Sequence, residues 1–426
     1  MALLPRSLRG LFIGLFGIFV VFGTSMTIIG AALPRILGDF SWSYAAAGAV
    51  IAASAAAYFP ATLAAGKIVP RLGIKTTMLL ALGLCAVGLA FFALSRSIAL
   101  NLALNVLVGL GQGLLDPTVN MAMLKMDQEG SGKPMSLMHG AFAVGAVAGP
   151  IALGAIIAWG LPWAMVFRAS ALLFALLAII VAFLPFSRLG ERLGGGLEEP
   201  GGRSRGAVAG RPGSARPRRG TAFYLGFASL LLYVGVEVGI SNWIAEYFVR
   251  IFSAPAAFAP LTVSIFWIGL LAGRFGVPVL YRGKRPEAVL VASSLLLVVA
   301  ATALCALGFA IPGSAGGAAA TAAWAGLALP SAVTFLAGLG CSIVYPTVMS
   351  LVGTACEDSQ AEAIAFAAAG GGFGLFVFPF LMAWIAQAFG IRTGFASYAL
   401  VSFLTALSCA ALANAVATPR KGKTAI

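Results

Sequence analysis

Apolar runs alternate with short polar or basic stretches along nearly the whole chain. They cover residues 11–33, 44–66, 74–95, 97–124, 134–159 and 163–186, then 221–249, 256–281, 287–309, 325–354, 360–388 and 393–416. A helix needs about 20 apolar residues to cross about 30 Å of hydrocarbon, so the pattern predicts an all-α membrane protein with twelve transmembrane helices. The first run, "LFIGLFGIFVVFGTSMTIIGAAL", exceeds the apolar core of a signal peptide and has no convincing cleavage site before the next span, so it reads as a retained helix. Between the sixth and seventh runs the pattern stops. The stretch "SRLGERLGGGLEEPGGRSRGAVAGRPGSARPRRG" is built of Gly, Arg, Pro and Ser and cannot bury enough surface to fold. It predicts a flexible linker over 187–220, between a six-helix half over 1–186 and a second six-helix half with a short tail over 221–426.

Composition agrees with a bilayer. The chain is 61% hydrophobic and 9% charged, with a mean hydropathy of +1.01, values that a water-facing surface does not support. A net charge of +14 suggests nucleic acid as a partner until the basic residues are placed. Taking alternate loops, nearly all of the 27 lysines and arginines fall on one side, including Arg71, Lys75, Arg274 and eight arginines between 188 and 219. The other side has Arg35, Arg96, Arg250 and Arg392, with Arg168 inside a span. By the positive-inside rule both termini are cytoplasmic in a plasma (cell inner) membrane, and the basic loops face anionic lipid rather than nucleic acid. The five cysteines sit in or beside apolar runs without metal-ligand spacing and read as packing residues. No nucleophile with a neighbouring base, metal cluster or phosphate loop appears, so an enzyme is not expected, nor any cofactor; "GLGQGLL" has no strand before it and is no dinucleotide fingerprint.

The two halves echo each other. "GKIVPRLGIK" follows the second run and "GRFGVPVLYRGKR" the eighth, each with a glycine and a basic residue leaving a helix and an arginine beyond. Two six-span halves with matching basic loops and a long linker resemble the major facilitator superfamily, whose substrates bind near the bilayer midplane between the halves. In "GKIVPRLGIK" the superfamily's usual loop acid is replaced by Pro70. The resemblance marks Arg71, Lys75 and Arg274 as gating-loop candidates.

Polar residues at mid-depth are then the candidate site. An ionised carboxylate at the centre of a membrane helix costs about 3 kcal/mol, yet "GLGQGLLDPTVNMAML" carries Asp116 in the fourth run, with Gln112 and Asn120 on the same helix face and Pro117 loosening the turn. With no evident permanent countercharge, such an acid takes up a proton or binds a cation, so Asp116 is the expected ion-coupling residue, for a proton or alternatively sodium. His139, the sole histidine, starts the fifth run and is a candidate proton relay. In the seventh run, "YLGFASLLLYVGVEVGISNWIAEYF", Tyr233, Glu237 and Ser241 share a face with Asn242 and Trp243 one turn on; Glu237 has no evident cation, while Glu246 near the exit reads as solvated. Hydroxyls, amides, carboxylates and aromatic rings suit a polyhydroxylated ligand. Thr24 and Thr27 of the first run, Trp267 of the eighth and Tyr345 of the tenth complete the substrate-binding candidates.

"GLGQGLLDPTVN", "LMHGAFAVGAVAGP", "YVGVEVGISNWIAEY", "FWIGLLAGRF" and "GLGCSIVYPT" together are similar to the fucose, galactose and glucose proton symporter family. The resemblance implies monosaccharide uptake by a monomer, with Asp116 matching the family's fourth-span carboxylate. Fucose permeases carry a second acid in the first span where this chain has Gly30, and Glu237 is the candidate for that role. "GAVAGP" is similar to an antiporter signature, so the alternative expectation is a proton-driven exporter of drugs or metabolites.

Overall fold

Ending in several cases on a glycine or another residue of positive φ, such as Ser41, Gly160, Ser253 and Gly390, the apolar runs fold as helices. In the computed structural model these are α1 (Arg9–Phe40), α2 (Tyr44–Phe91), α3 (Ile98–Met126), α4 (Lys133–Ala158), α5 (Met165–Phe183), α6 (Thr221–Phe252), α7 (Ala259–Leu280), α8 (Pro286–Ala310), α9 (Ala320–Cys341), α10 (Val344–Ala355), α11 (Gln360–Phe389) and α12 (Ile391–Ala417). The structure describes residues 8–126, 133–186, 220–281, 283, 285–310, 320–356 and 359–417. The expected linker over 187–220 lies outside the described residues apart from Gly220.

Two elements differ from the sequence reading. The basic "loop" after the second run is helical: α2 continues through it for 48 residues, with Pro70 inside and one break at Gly73, whose φ of 81° and ψ of 160° suit only glycine. A helix of that length would reach about 72 Å, over twice the hydrocarbon thickness, so α2 is two spans, 44–72 and 74–91, meeting at Gly73. The tenth run does the reverse. It is one span broken at Ser342 and Ile343 into α9 and α10. With α2 counted twice and α9–α10 once, twelve spans cross the bilayer among the described residues, eleven continuous stretches being long and apolar enough.

The halves repeat in their backbone. α1 and α6 both run 32 residues and both stop on a serine in the left-handed region, Ser41 at φ 55° and Ser253 at φ 53°. Within the first half α1 packs on α4 and α5, and α2 on α3 and α5; within the second, α6 packs on α11 and α12, α7 on α9, and α8 on α12. α1, α2 and α4 of one half face α6, α7 and α11 of the other. Leu63, Val87, Leu172, Val299, Trp384 and Leu400 lie exposed on the outside, the apolar surface that lipid covers.

The end where α3 approaches α4 is the basic end; the other, where α1 meets α2 and α6 meets α7, is the distal end. Distally, the Trp42 indole donates to the Arg96 carbonyl at 2.8 Å and the Trp163 indole to Asp39 Oδ2 at 2.6 Å. Arg168 donates from Nη1 to the Phe92 carbonyl at 2.5 Å, capping the end of α2. At the basic end Lys75, expected as a gating charge, donates from Nζ to the Ala182 carbonyl at 2.6 Å and caps α5; Arg71 is exposed.

Candidate functional site

α3 lays a polar stripe against α1 and α2. Its glycines permit this: a Cβ on Gly109 would run into the Ser54 carbonyl, and one on Gly113 into the Tyr58 carbonyl, so the two backbones touch where the stripe begins. Asn105 donates from Nδ2 to the Val50 carbonyl at 2.5 Å, and Gln112 donates from Nε2 to Ser25 Oγ at 2.9 Å. One turn on, Asp116 accepts from the Tyr58 hydroxyl at 2.7 Å on Oδ2 and from Asn120 Nδ2 at 2.8 Å on Oδ1. Both donors are neutral. Among the described residues no Lys or Arg forms an ion pair with Asp116.

Between the halves lies a cavity of about 50 Å³, walled by Ser25, Tyr58 and Gln112 of the first half and by Val238, Asn242 and Leu375 of the second. Ser54 and Asn105 add polar surface. Small-molecule sites usually exceed about 300 Å³, so a sugar-sized ligand enters only when the halves part. They are held together beside the cavity, on its distal side, where Gly30 lies so close to α6 that a Cβ there would come within 2.6 Å of the Asn242 Cα.

The second acid has a different setting. Glu237 is buried on α6 beside Tyr233, whose hydroxyl donates to the Cys341 carbonyl at 2.9 Å. Contrary to expectation it has a cation in Coulombic reach: Arg274, which is half-buried on α7 rather than in a loop. The Arg274 Nε donates to the Ser342 carbonyl at 3.3 Å. The break between α9 and α10 frees those carbonyls, and the two side chains satisfy them. Tyr345, on the first turn of α10, lies in Coulombic reach of both Asp116 and Glu237. His139 is exposed on α4, edge-on to Phe19 at 5.8 Å, and in Coulombic reach of Asp116 and Arg274.

Of the expected substrate residues, Gln112 and Asn242 line the cavity. Others are engaged elsewhere. Thr24 donates to the Val20 and Gly145 carbonyls and Thr27 to those of Gly23 and Thr24, while Ser25 between them faces the cavity. Ser241 accepts from the Trp267 indole at 2.9 Å, and Trp267 meets Phe142 edge-on at 5.7 Å across the interface. Trp243 is fully buried, edge-on to Tyr44 at 5.9 Å. Glu246 is not solvated: it is fully buried and accepts on Oε1 from Arg250 Nε at 2.8 Å and from the Tyr44 hydroxyl at 3.1 Å, a link between the halves. Tyr58 and Ser54 were not anticipated, although Ser54, Tyr58 and Thr62 repeat the i, i+4, i+8 spacing of Gln112, Asp116 and Asn120. Asn105, seven residues before Gln112 on the same face, was also readable.

Comparison with known proteins agrees with this architecture. The glucose/mannose transporter GlcP of Bacillus subtilis (strain 168) is 23% identical over 381 residues, 88% of each chain. Bypass of stop codon protein 6 of Saccharomyces cerevisiae (strain ATCC 204508 / S288c) is 27% identical over 303 residues, 66% of this chain; the match spans 60% of the yeast protein's length. Among solved structures, a D-xylose-proton symporter superposes with a TM-score of 0.70 at 15% identity, covering 95% of this chain and 97% of that one. The nucleoside transporter NupG gives 0.69 at 13% identity, covering 96% and 99%. The sequence profile described as Major Facilitator Superfamily matches residues 15–334. Twelve apolar spans in two repeated halves, with that profile running through most of them, place the chain in the Major Facilitator Superfamily of membrane transporters.

Proposed function

We propose that the protein is a cation-coupled symporter of a hexose or related neutral sugar, working by alternating access, with the proton as coupling ion and Asp116 as its carrier. The observation behind this reading is the join between cavity and acid. The polar groups of the cavity wall are uncharged hydroxyls and amides, which suit a polyol, and the wall runs directly through Tyr58 to a carboxylate held by neutral donors alone. The likeness to a glucose/mannose transporter over most of both chains supports the substrate class. The basic end is cytoplasmic in this reading, and the membrane is the plasma membrane.

Uptake of radiolabelled D-glucose and D-mannose into proteoliposomes tests it, with a pH or a sodium gradient imposed in separate arms. Accumulation above the equilibrium level is expected with the pH gradient; accumulation with the sodium gradient alone would assign sodium instead. Absence of hexose flux, with export of lipophilic cations under the same gradient, would replace the reading by a proton-driven exporter.

A further inference from the structure

Tyr58 belongs to two structures at once: it walls the cavity, and its hydroxyl donates to Asp116 Oδ2 at 2.7 Å. Resting on the symport reading, we propose that Tyr58 transmits the protonation state of Asp116 to the sugar site by reversing the direction of this hydrogen bond. A phenol has one proton, and an ionised carboxylate can only accept. While Asp116 is charged, the Tyr58 proton is committed to it and the phenol oxygen offers the cavity only a lone pair. Once Asp116 takes a proton from solvent, its own O–H donates to the Tyr58 oxygen. The phenol proton is then free to turn into the cavity. No covalent bond within the ligand forms or breaks, and the proton gained on one side returns to water on the other.

The other donors of the cavity make this proton matter. The Ser25 hydroxyl is committed to the Phe22 carbonyl at 2.8 Å, and Gln112 and Asn105 each commit one amide proton to Ser25 Oγ and the Val50 carbonyl, which leaves Ser54 and Asn242 as the wall's standing donors and Tyr58 as the one whose proton depends on Asp116. Sugar ring and hydroxyl oxygens need donors, and Tyr58 adds one to those of Ser54 and Asn242 only when Asp116 is protonated. Sugar and proton then bind with positive, reciprocal coupling. The titratable and charged groups around the pair are His139 on α4, Tyr345 on α10 and, beyond them, Arg274 on α7 and Glu237 on α6. Asp116 itself is hydrogen-bonded to Tyr58 and to the neutral Asn120.

The test is the pH profile of D-glucose affinity and of gradient-driven uptake for the full-length wild-type protein, Tyr58→Phe and Asp116→Asn. Wild type is expected to bind D-glucose roughly tenfold tighter at the acid end of its profile. Tyr58→Phe is expected to bind more weakly with a flat profile and to lose accumulation above equilibrium while still exchanging sugar measurably. Asp116→Asn, whose amide can donate to the Tyr58 oxygen, is expected to hold the acid-end affinity at every pH, and it decides the matter should Tyr58→Phe not fold. A wild-type pH profile in Tyr58→Phe overturns the proposal and leaves the symport reading standing; a pH-dependent affinity in Asp116→Asn overturns the proposal and removes Asp116 as the proton's carrier. Wild-type protein that carries no hexose overturns both.

Discussion

Besides Glu246 at the distal end, two acids sit inside the bundle, and their surroundings differ in whether a cation stands near. Asp116 in the first half is held by a phenol and an amide; Glu237 in the second has the Arg274 guanidinium in Coulombic reach. A carboxylate near a fixed cation has part of its charge compensated, whereas one held by neutral donors alone has no countercharge. In the symport reading Asp116 carries the travelling charge and Glu237 is a structural balance, with Tyr345 and His139 standing between the two settings.

The largest effect expected from breaking this contrast is at Asp116. In the symport reading, Asp116→Asn abolishes accumulation of hexose against a gradient, while Glu237→Gln reduces it without abolishing it. Side-by-side uptake in proteoliposomes decides: equal losses in the two variants would show that the acids act as one unit and that their surroundings do not separate them.

A smaller effect concerns stability. Removing the guanidinium with Arg274→Met leaves Glu237 buried without compensation and the Ser342 carbonyl short of a donor. Arg274 is half-buried and acts on Glu237 through space rather than through an ion-pair contact, so about 1–2 kcal/mol is expected, including the lost bond to the Ser342 carbonyl. The double variant Arg274→Met with Glu237→Gln should recover a good part of that loss, a coupling that a double-mutant cycle on thermal unfolding measures. Strict additivity would mean that the arginine serves the α9–α10 break alone.

The two settings were unequally legible in the sequence. Asp116 stood out because a carboxylate in an apolar run has few explanations, and the stripe with Gln112 and Asn120 followed from helical spacing. Its partner did not stand out, because a tyrosine among the alanines of "SAAAYFP" is unremarkable until α2 lies against α3. Arg274 was counted with the basic loop it precedes, although it falls inside the run 256–281 and α7 continues past it to Leu280, and the break at Ser342 left no mark in a run that is apolar on both sides. Glu246 was misjudged for the same reason: Tyr44 lies 202 residues away in sequence, and nothing local announces that the two meet. The spans themselves were legible because the bilayer imposes a length and a composition. The α2 break was not, since Pro70 and Gly73 suit a loop as well as a bent helix.

The distal closure separates the halves' behaviour from that of either acid. A methyl on Gly30 would meet the Asn242 backbone only when the halves are together. Gly30→Ala should therefore fold, hold the distal end ajar and slow transport severalfold without flattening the pH profile. Flux at the wild-type rate in that variant would mean that α1 and α6 do not close against each other during the cycle.

The mildest change is Tyr44→Phe. The Tyr44 hydroxyl reaches Glu246 Oε1 at 3.1 Å, and the same oxygen is held from the other side by Arg250, which is 52% exposed. Glu246 is fully buried and its Oε2 has no partner among the described residues, so losing one of its two donors leaves it poorly compensated when the distal end is shut. A bond of this length to a charged acceptor contributes about 1 kcal/mol, or roughly a fivefold shift toward distal opening. Spin labels on Ser43→Cys and Ser253→Cys, exposed at the distal ends of α2 and α6, measure the separation of the halves there. The five native cysteines are buried and should not compete for label. In Tyr44→Phe the wide-separation population should rise, while Asp116→Asn, whose site lies toward the basic end, should lack this hydroxyl-specific change. Identical distance distributions with and without the Tyr44 hydroxyl would remove this latch from the closure and leave the packing of Gly30 and Trp243 to hold the distal end shut.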